Sequence, residues 1–438
     1  KKDGPPSLVV APTSVLHAWA AEANKFAPSL NVYVHHGNRR EKVIPADVDV
    51  VVTSYTLLRI DPEIFSEPWR LLFLDEAQRI KNPASHIART CRELNAMHRY
   101  ALTGTPLENR LLELWSIFEF LMPGFFGSRA YFQRRYCTPI EKERDSEALD
   151  DLRKRIRPFV LRRLKSEVAK ELPPRQEQVL FCDLGPEQRQ LYEKVRNTYR
   201  KSVLAQVKEK GVGRSSIPVL EALMRLRQAC CDPGLLPFPE AEKIQASAKL
   251  DLLETTLEES IAAGHRTLVF SQWTSLLQRV MPRLEAKGWE YHYLDGRTTN
   301  RHDLVMRWNE PDGPPVFLIS LRAGGAGLNL TGADHVIHLD PWWNPAVEDQ
   351  ATDRAHRIGQ SKPVVAYRFV ARNTVEEKVL ALQEKKRDLF DATVEQGRFQ
   401  LDRLSQSDIE DLFTEPETAE PVPDAEGENA ASDEANPT

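Results

Sequence analysis

Near the C-terminal end of this 438-residue chain stands Gln350-Ala-Thr-Asp-Arg354-Ala-His-Arg357-Ile-Gly-Gln360. Positions 350, 354 and 357 are spaced four and then three apart. On a helix that spacing puts one amide and two guanidiniums on one face. Two fixed cations side by side repel each other unless an anion lies between them. Arginine suits phosphate because its donors form a rigid fork and its charge is not titrated away. The group therefore points to a polyphosphate, against the plainer reading of a solvated basic face. A second reactive group lies early in the chain. Leu71-Leu-Phe-Leu-Asp75-Glu76-Ala-Gln78 places two carboxylates directly after a four-residue apolar run. In open α/β sheets, ligands bind beyond the carboxyl ends of the strands. An Asp there can hold Mg²⁺ through water, and the following Glu can orient or deprotonate an attacking water. Asp-Glu alone usually marks a turn; the apolar run before it favours the site.

Four further strand ends carry polar turns. Tyr100-Ala-Leu-Thr103-Gly-Thr105-Pro-Leu-Glu-Asn109 reads in isolation as an ordinary helix cap. Ile319-Ser320-Leu-Arg322-Ala-Gly324-Gly325-Ala-Gly327-Leu-Asn329 is glycine-rich, so its backbone can approach a phosphate with its amides. Val10-Ala-Pro12-Thr13-Ser14 and Phe270-Ser271-Gln272-Trp273 occupy matching places after a strand, where hydroxyls and amides can hold the backbone phosphates of a nucleic acid. As isolated features these too would be caps.

The elements that must position these groups fall into two sets with the same grammar. Apolar runs begin at Leu8, Val32, Val48, Leu71 and Tyr100, and again at Thr267, Tyr291, Val316, His335 and Val364. Most are near-continuous rather than alternating, as in parallel strands buried on both faces. They predict two doubly wound parallel-sheet α/β lobes. Residues 111–245 read mainly as helix, with apolar stripes through Leu114, Trp115 and Phe118 and through Leu223, Met224 and Leu226, and with surface loops expected at 141–151 and 208–216. A closing amphipathic helix is expected over 375–391. The domain division is thus 1–110, a first lobe; 111–245, a helical insertion and linker; 246–396, a second lobe with its closing helix; and 397–438, an acidic, disordered tail.

Composition bounds the rest. Apolar residues make up 41% of the chain, and no run is long enough to span a bilayer. The five cysteines form no C-x-x-C pair, which predicts reduced thiols in an intracellular protein and no zinc site. The net charge is -5, but Thr414–Thr438 holds eight acidic residues and no Lys or Arg; removing them turns -5 into +3. Any nucleic-acid surface must therefore be a local groove.

The order of these segments resembles the superfamily-two helicase-like ATPases, specifically the Swi/Snf-type DNA translocases. Asp75-Glu-Ala-Gln78 looks like the family's Mg²⁺ and water-activating box, and Leu102-Thr-Gly-Thr-Pro-Leu-Glu-Asn109 like its coupling motif. Pro158-Phe-Val-Leu-Arg-Arg163 and Leu226-Arg-Gln-Ala-Cys-Cys231 look like its insertion signatures. Asp340-Pro-Trp-Trp-Asn-Pro345 and Asp353-Arg-Ala-His-Arg-Ile-Gly-Gln360 are close to diagnostic. The resemblance spans roughly residues 7–395. It implies RecA-like lobes, with ATP and Mg²⁺ as cofactors and Asp75 holding the metal through water. Glu76, Gln350, Arg354 and Arg357 would be catalytic, the two arginines reaching across to ATP on the first lobe. Gly325 and Gly327 would bind nucleotide, and Thr103 and Thr105 would couple. Thr13, Ser14, Ser54, Ser271, Gln272, Arg322 and Gly324 would line a track for double-stranded DNA. Trp342 and Trp343 are either lobe-interface or core residues. The implied activity is translocation along duplex DNA without strand separation, remodelling DNA-bound proteins, in the nucleoid of a prokaryote or otherwise in the nucleus, and with no membrane partner.

One family element is absent from these residues: no glycine is followed by lysine, so there is no Gly-x-x-x-x-Gly-Lys phosphate loop. The chain reads as a fragment with the first lobe truncated at its N-terminus, and little or no ATPase activity is expected of it alone. The alternatives are a nucleotide-independent DNA-binding or scaffold module and a strand-separating helicase.

Overall fold

Runs such as Leu8-Val-Val and Phe317-Leu-Ile bury both faces only inside a covered sheet, and the chain builds two of them. The computed structural model describes residues 4–37, 40–104, 111–143, 145–163, 165–324, 327–342, 345–381 and 406–414. The first sheet contains β1 (Ser7–Ala11), β2 (Val32–His35), β3 (Val50–Ser54), β4 (Trp69–Asp75) and β5 (Ala96–Leu102) in the order β2-β3-β1-β4-β5. All its pairings are parallel. Leu8, Val10, Val51, Leu72 and Leu74 are each fully buried in its core. Among the described residues no strand pairs with the outer edge of β5, where Met97, Tyr100 and Leu102 are exposed.

The second sheet holds six strands, β6 (Arg175–Cys182), β7 (Thr267–Ser271), β8 (Tyr291–Leu294), β9 (Val316–Ser320), β10 (His335–His338) and β11 (Val364–Ala371). Their order is β6-β11-β10-β7-β9-β8, again all parallel. Strand β6 comes from the stretch read as helical insertion. Its pairing with β11 runs over eight residues, from Arg175–Val364 to Cys182–Ala371. It escaped notice because Gln176, Glu177 and Gln178 are exposed at a sheet edge and break the apolar run.

The helices between the lobes divide their allegiance. Helix Leu111–Leu121 packs on the first lobe, where the Ser116 hydroxyl donates to the Ile80 carbonyl (2.6 Å) and Arg99 donates to the Phe120 carbonyl (2.8 Å). Beside it an aromatic cluster joins Phe118, Phe126, Phe132 and Tyr136. Helices Pro186–Arg214 and Ser216–Cys231 pack instead with Ala371, Val375 and Val379 of the second lobe.

Three expectations are corrected. The 141–151 stretch is partly helical, because the Asp145 carboxylate accepts the amides of Glu147 and Ala148 and caps helix Ser146–Ile156. The break at 208–216 is absent up to Arg214, where the preceding helix continues through Gly211 and Gly213. Residues 397–438 are not uniformly outside the fold: Gln406–Phe413 is a helix whose Ile409, Leu412 and Phe413 are buried against helix Pro186–Arg214. The closing helix is seen over 375–381, and its expected continuation to 391 lies outside the described residues, as does 415–438. No helix among the described residues is long and apolar enough to cross a membrane. All five cysteines are free and buried.

Candidate functional site

Strand β4 ends at Asp75, and the next residue, Glu76, turns the chain sharply with φ 52°. A non-glycine residue in the left-handed region costs energy and is held only where its surroundings impose it. Here the surroundings are specific. The Asp75 carboxylate accepts the Glu76 amide on Oδ1 (2.9 Å) and the Trp19 indole N–H on Oδ2 (2.9 Å). The Tyr55 hydroxyl donates to the Asp75 carbonyl (2.8 Å). Gln78 Nε2 donates to Glu76 Oε2 (2.6 Å), and Thr103 Oγ1 donates to Gln78 Oε1 (2.8 Å). A relay thus runs from the turn after β5 to the carboxylate after β4.

The second lobe closes on that carboxylate. Gln350 Nε2 donates to Glu76 Oε1 across the inter-lobe cleft at 3.2 Å. The guanidinium of Arg354 is buried, 8% exposed, and lies close enough to Glu76, Asp75 and Arg357 for their charges to act on it. Burial pushes the Glu76 carboxyl above its ordinary range, and the bond from Gln78 and the charge of Arg354 pull it back down. Burial likewise lowers the guanidinium of Arg354, partly offset by Glu76.

The helical premise for these residues is only partly right. Helix Pro345–Thr352 carries Gln350 but stops at Thr352. Arg354 and Arg357 sit in the turns that follow. There the Arg354 amide reaches Ala351 O and the Arg357 amide reaches Ala355 O, while the Arg354 carbonyl accepts from the Leu330 amide (3.0 Å). A tertiary bond replaces the helical one. Arg354 still faces the cleft, and Arg357 is half-buried.

The glycine-rich loop meets the first lobe directly. Gly327 adopts φ +59°, and a Cβ there would lie 1.6 Å from Val15 Cγ1, so only glycine fits. Val15 ends the 3₁₀ turn Thr13–Val15, whose Thr13 is exposed and Ser14 half-buried. Arg322 and Gly324 lie in the short helix Leu321–Gly324. Gly325, Thr105 and Trp343 lie outside the described residues; Trp342 is half-buried against the second-lobe core.

The remaining strand-end hydroxyls are engaged internally. Ser54 Oγ accepts the Leu57 amide (3.2 Å) and caps helix Tyr55–Ile60. The Ser271 hydroxyl donates to Asp340 Oδ1 (2.6 Å) inside the second lobe, and the Gln272 backbone amide reaches the same carboxylate. Burial pushes Asp340 up to about 6, against the lowering charge of Arg227. The Gln272 side-chain Nε2 is buried without a hydrogen-bond partner among the described residues.

Sequence reasoning missed Trp19, which nothing in a helical stripe distinguishes from an ordinary core tryptophan. It also gave Gln78 no role, although its spacing of two from Glu76 was visible. One grouping with metal-ligand chemistry, His265, Asp334 and His335, lies at the opposite end of the second sheet. There Lys362 Nζ stands 3.1 Å from Asp334 Oδ2 and already supplies the cation.

Known proteins resemble this chain over most of its length. The SNF2-related domain description matches residues 1–235, and the helicase conserved C-terminal domain matches residues 248–359. A putative ATP-dependent helicase/translocase of Bacillus subtilis is 41% identical over 95% of this chain and 46% of its own length. A human SWI/SNF-related regulator of chromatin, subfamily A member 1, is 36% identical over 90% of this chain and 39% of its own. A solved Sulfolobus solfataricus SWI2/SNF2 ATPase core in complex with dsDNA is 34% identical, covering 89% of this chain and 82% of that one, with a TM-score of 0.43. The chain spans less than half the length of these two curated relatives. With two parallel-sheet lobes whose halves carry these two domain signatures, the chain belongs to the SNF2-related, or Swi/Snf, family of helicase-like proteins.

Proposed function

We propose that this chain is the motor core of a DNA-dependent ATPase that walks along double-stranded DNA without separating the strands and displaces or remodels proteins bound there. The observation that carries the reading is the 3.2 Å contact of Gln350 with Glu76, made between lobes and flanked by the buried Arg354. ATP seated beyond β4 would place its γ-phosphate between Glu76 and the two guanidiniums. Glu76, raised by burial, accepts a proton from or orients the attacking water. Arg354 and Arg357 neutralise charge developing on the transferred phosphoryl group. Lobe closure and hydrolysis are then linked, because the groups that complete the site lie on opposite lobes.

The residues at β4 suit Mg²⁺: Asp75 presents a carboxylate at the strand end, oriented by Trp19 and by the Glu76 amide. Bound there through water, the cation would offset phosphate charge. The Thr103–Gln78–Glu76 relay couples the turn after β5 to the hydrolytic carboxylate. DNA phosphates meet the Thr13 and Ser14 hydroxyls on the first lobe. The Ser54 and Ser271 hydroxyls and the Gln272 backbone amide are engaged internally, so the track passes beside them and relies on backbone amides at Arg322 and Gly324. Gly327 lets the second lobe approach Val15 closely, and Gly325 and Gly327 would bind nucleotide.

These 438 residues contain no Gly-Lys phosphate loop, so on their own they turn ATP over little or not at all. The test uses the full-length protein. DNA-stimulated ATPase activity with triplex displacement, and no displacement of a paired strand, is the expected result. Strand unwinding at a comparable rate would make it a helicase, and binding without ATP dependence would make it a scaffold. Affinity for DNA should fall steeply with salt and depend little on base sequence.

A further inference from the structure

The segment that carries the cleft residues is gripped from behind by residues 165–175. Lys165 Nζ lies 2.7 Å from Asp353 Oδ1 and donates to the His356 carbonyl at 3.1 Å. His356 Nε2 in turn donates to the Pro173 carbonyl at 2.8 Å. Arg175 Nη2 pairs with Asp349 Oδ1 at 2.5 Å, and its Nη1 lies 3.7 Å from Asp353. The pattern is regular. Asp349 adjoins Gln350, Asp353 adjoins Arg354, and His356 adjoins Arg357. Each candidate reactive side chain therefore has a chain neighbour tied to the same short strap.

The strap is needed because the helix stops at Thr352, leaving Arg354 and Arg357 in turns without a continuous ladder to fix them. Its position in the chain also matters. It follows helix Ser146–Ile156, which packs with the first-lobe-associated aromatic cluster, and it leads into β6 of the second sheet.

We propose that Lys165 is a positioning residue for hydrolysis, holding Arg354 and Arg357 through Asp353 and the His356 carbonyl. Arg175 contributes to the same grip, but it is also part of β6 and pairs with Glu177, so its removal disturbs the strand as well. Lys165 is half-exposed, and an ion pair at that exposure adds little to stability. Its loss should therefore be seen in catalysis rather than in folding.

This inference rests on the proposed ATPase reading, and the experiment separates the two. In the full-length protein, Lys165→Met should lower kcat about 10-fold with the KM for ATP unchanged within about twofold, since a small misplacement of reacting groups is costly. Lys165→Arg should restore most of the rate. Asp353→Asn should reproduce the defect, and the double variant should be no worse than either single one, as expected of one coupled pair. Melting temperatures should be close to that of the parent. Glu76→Gln is measured in parallel. If it abolishes turnover while Lys165→Met and Asp353→Asn leave kcat unchanged, the positioning role is wrong. If Glu76→Gln itself hydrolyses ATP normally, the underlying site assignment is wrong. A loss of rate in Lys165→Arg as large as in Lys165→Met also overturns the proposal.

Discussion

In the first lobe Asp75 and Glu76 leave the end of β4, a strand paired on both sides, within two residues of the sheet. In the second lobe Arg354 and Arg357 follow a helix that has already ended, and tertiary bonds from Leu330, Lys165 and Arg175 hold the segment. The carboxylate side adjoins a continuous backbone ladder, and the guanidinium side is held by one backbone bond and a few side-chain ties. Cooperative ladders resist displacement, whereas a few side-chain ties in turns give way singly. The difference leaves the second-lobe wall the easier of the two to displace.

The largest expected effect lies on the first-lobe wall. Glu76→Gln removes the proton acceptor and keeps the shape, although its single carbonyl oxygen can accept from only one of the two donors, Gln78 and Gln350. It should lower kcat of the full-length protein about 10³-fold or more while ATP binding persists, as measured by turnover beside nucleotide titration. On the second-lobe wall, alanine at Arg354 or Arg357 should each lower kcat about 10³-fold, in the range of arginine contributions to phosphoryl transfer. An unchanged rate in either variant would remove that residue from the site.

The two arginines can be told apart by pH. Burial raises the Glu76 carboxyl, so in the protein it holds its proton to a higher pH than a free glutamate does. Activity that needs the carboxylate should therefore fall, on acidification, at a pH above the usual glutamate range. Arg354 opposes this by favouring the charged form. In Arg354→Ala the acid limb of the residual rate should move to still higher pH, and in Arg357→Ala it should stay in place. Equal shifts in both variants would show that the two guanidiniums act on Glu76 alike.

Contact between the walls is tested at Gly327. Any Cβ there meets Val15 at 1.6 Å and also strains a backbone at φ +59°. Gly327→Ala should open the lobes, seen as a loss of fluorescence energy transfer between labels on the two, and should lower turnover about 10-fold. A variant that closes normally would mean that Val15 or the loop yields more readily than this geometry implies.

Much of this arrangement was legible in the sequence, and the failures have physical causes. Parallel strands buried on both faces leave continuous apolar runs, so β1, β3, β7 and β9 stood out. β6 did not, because an edge strand tolerates Gln176-Glu-Gln on its surface. The place of Asp75-Glu76 at a strand end was readable, because the apolar run stops there. The grouping of Gln350 with Arg354 was read from helical spacing, and it reached the cleft by another route, since the Leu330 bond that redirects the chain leaves no local sequence signal. The strap was invisible for the same reason: Lys165 and Asp353 lie far apart in sequence, and nothing local to either one pairs them.

The smallest effect separates two hydroxyls that the sequence treated alike. Ser54 ends a first-lobe strand and Thr13 follows one, and both were read as candidate phosphate contacts. Ser54 is 3% exposed and its oxygen caps helix Tyr55–Ile60, whereas Thr13 is exposed beside the inter-lobe contact at Val15. Removing a serine cap costs about 1 kcal/mol. Ser54→Ala should therefore lower stability by about that amount in denaturant titration, with DNA affinity unchanged. Thr13→Ala should leave stability in place and weaken DNA binding severalfold, by loss of one phosphate contact from a set that acts together. The reverse pattern would move the track from the exposed 3₁₀ turn to the capped one and would require the Ser54 hydroxyl to leave the Leu57 amide when DNA binds.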